Sequence, residues 1–165
     1  KGPNVMLGYY NMPEETAKVI KDGWFHTGDL GYVDDEEFIY ITGRKKNVII
    51  TANGKNVFPE ELEYYLGRST MVSESMVWAQ EDESGQDTVI VATIKPDMEE
   101  VEAAIGKDAA GDDAQVEKLL WTEVDKINEG LPFFKKIKKI TVRREEFEKT
   151  TGKKIKRFVE SNKDQ

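Results

Sequence analysis

Three stretches of this chain set charged side chains on turns punctuated by glycine: GWFHTGDLG at 23–31, TGRKKNVIITANGKNVFPEELE at 42–63 and EKTTGKKIKR at 148–157. In the first, Asp29 follows Thr27 and Gly28. A carboxylate fixed on a tight turn suits a vicinal diol such as a ribose, and equally an Asx-type bond to its own backbone. His26, the single histidine, reads as a side chain packed beside Trp24 or Phe25 rather than as a catalytic residue. In the second stretch, Arg44 supplies a planar fork for a phosphate or diol, and Lys45 and Lys46 are flexible point charges; the same run also reads as a solvated linker. Gly54 either closes a turn or lets a ligand approach the backbone closely. In the third, Lys149, Lys153, Lys154, Lys156 and Arg157 crowd around one glycine and two threonines. Such a cluster is a solvated face, a nucleic-acid patch, or a loop presenting one ammonium to a triphosphate or mixed anhydride.

Those turns need elements to hold them. MPEETAKVI predicts a short helix, with Pro13 at the first helical position and glutamates in the first turn. Asp22-Gly23 marks a turn, and FHTGDLG has loop composition. GYVDDEEFIYI predicts a hairpin about an acidic turn. NVIITANGKNVF predicts another, with Asn53-Gly54 as the tight turn between 48–51 and 56–58. Pro59 opens a helix that carries Leu62, Tyr65 and Leu66 on one face. Positions 76–79 and 88–94 predict neighbouring strands across the polar run QEDESGQD. Next come a short helix and a loop over 97–113, then a helix over 114–128 with Val116, Leu119, Leu120, Val124 and Ile127 as its stripe. Gly130 and Pro132 stop that helix, and 137–142 predicts the last strand.

The 165 residues are 38% hydrophobic, 10% aromatic and 34% charged, a globular composition. That length holds one domain with a core, or a small domain plus a piece of another. A net charge of -8 argues against nucleic-acid binding by the whole surface. With no cysteine and one histidine, disulfides, thiolate nucleophiles and Cys- or His-rich metal sites are excluded. No apolar run approaches the ~18 residues that a membrane span needs. The chain starts mid-pattern at Lys1, which predicts a piece of a longer protein with the cytoplasm as its default compartment. From about position 47 the element order predicts an α+β domain; the first 43 residues hold two small elements with little core.

The three stretches, in this order, resemble the closing motifs of the adenylate-forming superfamily, which includes acyl-CoA synthetases, peptide-synthetase adenylation domains and firefly luciferase. The resemblance runs from about Gly2 to Arg157, and IITANGKNVFPEELE is most similar to the long-chain fatty acyl-CoA synthetase branch. It implies that 1–43 closes a large N-terminal adenylation domain and that 44–46 is a hinge. It makes 47–158 a mobile C-terminal domain, with a β-hairpin and a central, mostly antiparallel three-stranded sheet packed by helices, and 159–165 a tail. By the same resemblance Asp29 would bind the ribose hydroxyls of ATP and of the acyl adenylate, and Arg44 would contact that nucleotide. Lys46 would be the hinge residue, and Gly54 would line the pantetheine channel. The family's late lysine lies in a Lys-Thr-x-x-Gly-Lys-Ile pattern. Lys149-Thr150 and Ile155 match it ungapped, which makes Lys154 the catalytic candidate. Gly152 stands one place early, Lys153 occupies the glycine position and Glu148 replaces a proline, so Lys153 is the runner-up.

The activity implied is that of an ATP-dependent acyl-CoA synthetase, which activates a long-chain fatty acid as acyl-AMP and transfers it to coenzyme A. ATP, Mg2+ and coenzyme A are its cofactors, and no metal-ligating residue is expected on this chain. The partners implied are the fatty acid, ATP, coenzyme A and the protein's own N-terminal domain, without nucleic acid. Location would be cytoplasmic, with peripheral membrane association of the full-length enzyme as an option. The phosphate loop, adenine pocket and acyl tunnel would lie upstream, leaving this piece inactive alone. Two alternatives stay open: an adenylation enzyme that loads a carrier protein, and a non-catalytic binding module with a basic C-terminal face.

Overall fold

Proline at the first position and acids in the first turn make the opening helix. Pro13 gives up no intrahelical bond there, and Glu14, Glu15 and the late Lys18 complement the helix dipole in α1, Pro13–Val19. The structure, a computed structural model, describes residues 1–82, 85 and 87–163. The chain divides into two compact units, Lys1–Lys46 and Asn47–Gln165.

In the first unit, β1 (Ile20–Lys21) and β2 (Trp24–Phe25) pair around Asp22 and Gly23. Both turn residues are left-handed, with φ of 52° and 76°, as a two-residue hairpin of matching twist requires. The stretch expected as loop, FHTGDLG, is strand at both ends: Phe25 closes β2 and Asp29 begins β3, Asp29–Val33. Long-range pairing overrides local composition here, because β4 (Ile39–Arg44) pairs with β3 antiparallel along its whole length. The acidic turn between them closes on Asp34, whose Oδ1 accepts from the N–H of Glu36 and of Phe38 at 3.0 and 2.9 Å. Gly31 is required inside β3, since a Cβ there would lie 2.2 Å from the Tyr40 carbonyl oxygen. Among the described residues of this unit no hydrophobic side chain is buried, and Tyr32, Val33, Phe38, Ile39 and Ile41 are exposed.

The second unit holds the core. It begins with β5 (Ile49–Ile50) and β6 (Asn56–Val57), paired antiparallel. Their turn spans three residues rather than the two expected. The Thr51 N–H donates to the Lys55 carbonyl at 3.0 Å and the Gly54 N–H to the Thr51 carbonyl at 2.8 Å, with Gly54 left-handed at φ 70°. Helix α2 (Pro59–Leu66) buries Leu62 and Leu66 and half-buries Tyr65. Strands β7 (Val72–Glu81) and β8 (Thr88–Pro96) run antiparallel and outreach the predicted spans. The run QEDESGQD, expected between them, gives its first two residues, Gln80 and Glu81, to β7, and its positions 83, 84 and 86 fall outside the described residues.

The segment 97–113 is two helices, not a helix and a loop. Asp97 caps α3 (Met98–Ile105), accepting from the Glu99 N–H at 3.1 Å, and Gly106 at φ 83° breaks the chain into α4, Lys107–Ala110. Asp112 then caps α5, Asp113–Glu129. The last strand, β9 (Lys139–Val142), starts two residues later than predicted. Asn128 takes both backbone groups of Ile137, its Oδ1 accepting and its Nδ2 donating at 2.9 Å each. β9 joins β8 in parallel, giving the order β7-β8-β9. The central β8 is buried on both faces from Ile90 to Ile94, which explains its near-continuous apolar run. Val77, Ile90, Ala92 and Ile94 from the sheet meet Leu62, Leu66, Val101, Val116, Leu120 and Val124 from the helices. The architecture is thus α+β, with a three-stranded sheet in which β7–β8 is antiparallel and β8–β9 parallel. No helix among the described residues is long and apolar enough to cross a membrane.

Candidate functional site

In the first unit the β3–β4 ladder makes Asp29 and Arg44 direct cross-strand partners. The two nucleotide candidates are therefore brought together, and the Arg44 Nη1 donates to Asp29 Oδ1 at 2.6 Å and to the Thr27 carbonyl at 3.2 Å. Thr27 Oγ1 accepts from the Asp29 N–H at 3.1 Å, fixing the turn that carries the carboxylate. An aspartate accepts only, and a guanidinium donates only through a rigid fork. Side by side, they can receive the hydroxyls of a diol and hold a neighbouring oxyanion. His26, Phe25, Thr27, Gly28, Arg44 and Lys46 line an open cleft of about 410 Å³ within this unit. His26 is exposed there, held by its N–H to the Val19 carbonyl at 2.7 Å.

Lys46 lies at the end of the first unit, in a 3-10 turn, Lys45–Asn47. On one side the Lys45 N–H donates to the Gly28 carbonyl at 2.8 Å. On the other, the Asn47 amide donates to Glu60 of α2. Lys46 itself is exposed and falls between those two anchors.

In the second unit, Gly54 and Lys154 sit on turns of the same construction. The Thr150 N–H donates to the Lys154 carbonyl at 2.8 Å, and the Lys153 N–H to the Thr150 carbonyl at 2.9 Å. The threonine hydroxyl accepts from the N–H four residues on in both turns: Lys55 onto Thr51 at 3.1 Å, Lys154 onto Thr150 at 3.2 Å. Lys153, φ 59°, holds the left-handed place that Gly54 fills in the first turn. A lysine there costs about 1–2 kcal/mol relative to glycine. Gly152, one place early, has ordinary φ. The shared Thr-x-x-x-Lys spacing of TANGK and TTGKK was a signal available in the sequence.

The basic end resolves into two kinds of residue. Lys135 pairs with Glu61, Arg144 with Asp113, Lys149 with Glu74 and Glu146, Lys156 with Glu148, and Arg157 with Glu63. Among the described residues neither Lys153 nor Lys154 forms an ion pair, and both are exposed. Burial raises the Glu63 carboxyl above its usual range, against the opposing pull of Arg157. Lys149 is raised by Glu74 first and Glu146 second. Glu63, Glu74 and the buried Asn162 were not singled out from the sequence, because their partners stand far away along it. In the segment 159–165, expected as a tail, Glu160–Asn162 forms a 3-10 turn; positions 164 and 165 lie outside the described residues. No group of three or more His, Cys, Asp or Glu side chains that could hold a metal occurs among the described residues.

No protein-family model matches the chain. It is similar to a long-chain-fatty-acid–CoA ligase of Bacillus subtilis strain 168, 45% identical over 108 residues that cover 62% of this chain and 19% of that protein. An indoleacetate–CoA ligase of Aromatoleum aromaticum is 44% identical over 96 residues, covering 58% of this chain and 18% of that protein. A 2-succinylbenzoate–CoA ligase of Bacillus cytotoxicus is 41% identical over 95 residues, covering 58% of this chain and 20% of that protein. Among solved structures, o-succinylbenzoate CoA synthetase from Bacillus subtilis in complex with the acyl-adenylate intermediate OSB-AMP matches with a TM-score of 0.71 at 28% identity, over 95% of this chain and 28% of that one. The same enzyme in complex with ATP and magnesium ion matches with a TM-score of 0.70 at 28% identity, over 95% of this chain and 28% of that one. The chain thus spans about a fifth of the length of the curated relatives it matches.

Proposed function

From a chain whose relatives and structural neighbours are adenylate-forming CoA ligases, with the fold of their C-terminal portion, we propose that this is part of an ATP-dependent acyl-CoA synthetase. The observation that carries it is the Asp29–Arg44 pair, a carboxylate and a guanidinium from two motifs, 2.6 Å apart across one hairpin. In this role Asp29 takes the ribose hydroxyls of ATP and of the acyl adenylate, and Arg44 contacts the same nucleotide. Adenylation joins the substrate carboxylate to the α-phosphate and expels pyrophosphate, so negative charge grows on the bridging and leaving oxygens. Lys154 offsets that charge, an unpaired ammonium on a fixed turn; removing such a donor costs about 10²–10³ in rate. Magnesium, when bound, neutralises the phosphates.

Thioester formation needs the thiol of coenzyme A to reach the adenylate carbonyl. Rotation about Lys46, between the Lys45 and Asn47 anchors, exchanges the Lys154 turn for the Gly54 turn, whose bare backbone admits the pantetheine arm. Residues 1–43 then close the large domain, 44–46 act as the hinge and 47–158 as the moving part. The acid proposed is a long-chain fatty acid, a choice supported by the 45% identical relative, and the location is cytoplasmic with or without peripheral membrane attachment. This piece alone forms no acyl-CoA.

The test uses the full-length enzyme with Lys154→Ala and Lys153→Ala, assayed for ATP–pyrophosphate exchange and, separately, for thioester formation from supplied acyl adenylate. Lys154→Ala is expected to lose the exchange step and keep the thioester step. Greater damage from Lys153→Ala moves the role one residue, and no effect from either refutes it. A panel of fatty acids, 2-succinylbenzoate and indoleacetate identifies the acid, with free coenzyme A compared against a carrier protein.

A further inference from the structure

Lys149 and Arg157, on either side of Lys154, are fastened to the sheet and to α2, while Lys153 and Lys154 at the tip are not. On the near side, Lys149 pairs with Glu74 of β7 and lies 3.1 Å from Glu146. On the far side, the Arg157 Nη1 donates to Glu63 Oε1 at 2.7 Å and to the Val77 carbonyl at 3.2 Å, and its Nη2 pairs with Glu63 Oε2. Glu63 also accepts from the Val77 N–H at 2.7 Å, so α2, β7 and the segment after Lys154 are tied in one knot. Between the two fastenings the arms meet in an antiparallel bridge, Lys149 to Ile155.

We propose that Arg157 and Lys149 are positioning residues for adenylation, which hold the arms of the turn so that Lys154 is presented in one fixed place. This presupposes the role of Lys154 given above. Arg157 and Glu63 are mostly buried, with side chains 20% and 18% exposed. A pair taken that far out of water gains little over well-packed apolar residues, because desolvation consumes most of the attraction. What a two-pronged guanidinium–carboxylate contact supplies in addition is direction. The turn needs direction from outside: left-handed Lys153 is a conformation that persists only when its surroundings over-determine it. The acids that neutralise Lys149 and Arg157, Glu74 and Glu146 for the first and Glu63 for the second, also leave the positive charge of the turn to its tip.

The test is a set of paired substitutions in the full-length enzyme: Arg157→Met and Lys149→Met, each with and without Lys154→Ala. Readouts are pyrophosphate exchange, thioester formation from supplied acyl adenylate, and thermal unfolding. Arg157→Met is expected to lower kcat for exchange by about 10- to 10²-fold, the cost of misplacing a catalytic group by about 1 Å, with KM for ATP little changed. In the Lys154→Ala background the same substitution is expected to cost less than about twofold, since residues acting as one unit are not additive. Arg157→Lys is expected to restore only part of the rate, because an ammonium lacks the planar fork that holds Glu63 and the Val77 carbonyl together in one fixed geometry. Lys149→Met gives the same cycle should Arg157→Met fail to fold. Multiplicative effects with Lys154→Ala, or an equal fall in both half-reactions, overturn the proposal. If Lys154→Ala alone leaves exchange intact, the role of Lys154 falls first, and the two failures are distinguishable.

Discussion

Asn162→Ala is expected to destabilise the second unit by about 3 kcal/mol, a large loss for one residue in the last turn of the chain. Asn162 is fully buried, and its amide serves three backbone groups. Its Oδ1 accepts from the Glu148 N–H at 2.7 Å; its Nδ2 donates to the carbonyls of Glu148 and Lys156 at 2.9 and 3.0 Å. The two carbonyls keep another partner each, from the N–H groups of Lys156 and Val159. Their losses are worth about 0.5–1.5 kcal/mol apiece, while the orphaned Glu148 N–H costs about 1–3 kcal/mol. These terms sum to roughly 2–6 kcal/mol, and water reaching the vacated site brings the value toward the lower half. Urea denaturation followed by tryptophan fluorescence measures it, because Trp78 lies beside this turn with Lys163 Nζ 5.7 Å from its ring. The melting temperature should fall by about 10 °C. Ser161→Ala is the control: its hydroxyl bonds Glu148 at the surface, and its loss should stay within about 0.5 kcal/mol. A cost for Asn162→Ala below about 1 kcal/mol, level with the control, would refute this account of how the arms of the Lys154 turn are held.

Two further outcomes are expected. The twin turns should respond oppositely: Gly54→Ala costs about 1 kcal/mol although nothing lies within 4 Å of the added methyl, and Lys153→Gly gains about 0.5 kcal/mol once unfolded-state entropy is subtracted from the relieved strain; equal signs in chemical denaturation would contradict the shared geometry. Glu146 is held below the usual carboxylate range by hydrogen bonds from Lys95 first and Lys149 second, so its contribution is complete above that range and is lost as pH falls through its lowered folded value. Glu146→Gln should therefore flatten the fall of melting temperature between about pH 5 and 3, and a steeper fall than in the parent would refute the assignment.

The local chemistry of the turns and helix ends was legible without tertiary structure. Proline at position 13 or 59 and Asp22-Gly23 dictate backbone geometry within a few residues, Asn53-Gly54 signals a turn though not its length, and the stripe of Val116, Leu120 and Val124 marks a buried face by period alone. The order of the three charged stretches likewise lies wholly in the sequence. What only the tertiary structure decided is which charges are spent and which are free. Nothing near Arg157, Lys149 or Lys154 in sequence says which of them finds an acid; Glu63 and Glu74, 94 and 75 residues away, decide it by reaching two of these cations and not the third. The same holds for Asp29 and Arg44, joined by strand register, and for Asn162, whose burial no terminal polar run announces. Periodicity and turn propensity act over a few residues of backbone, whereas ion pairing and desolvation depend on where the fold returns the chain.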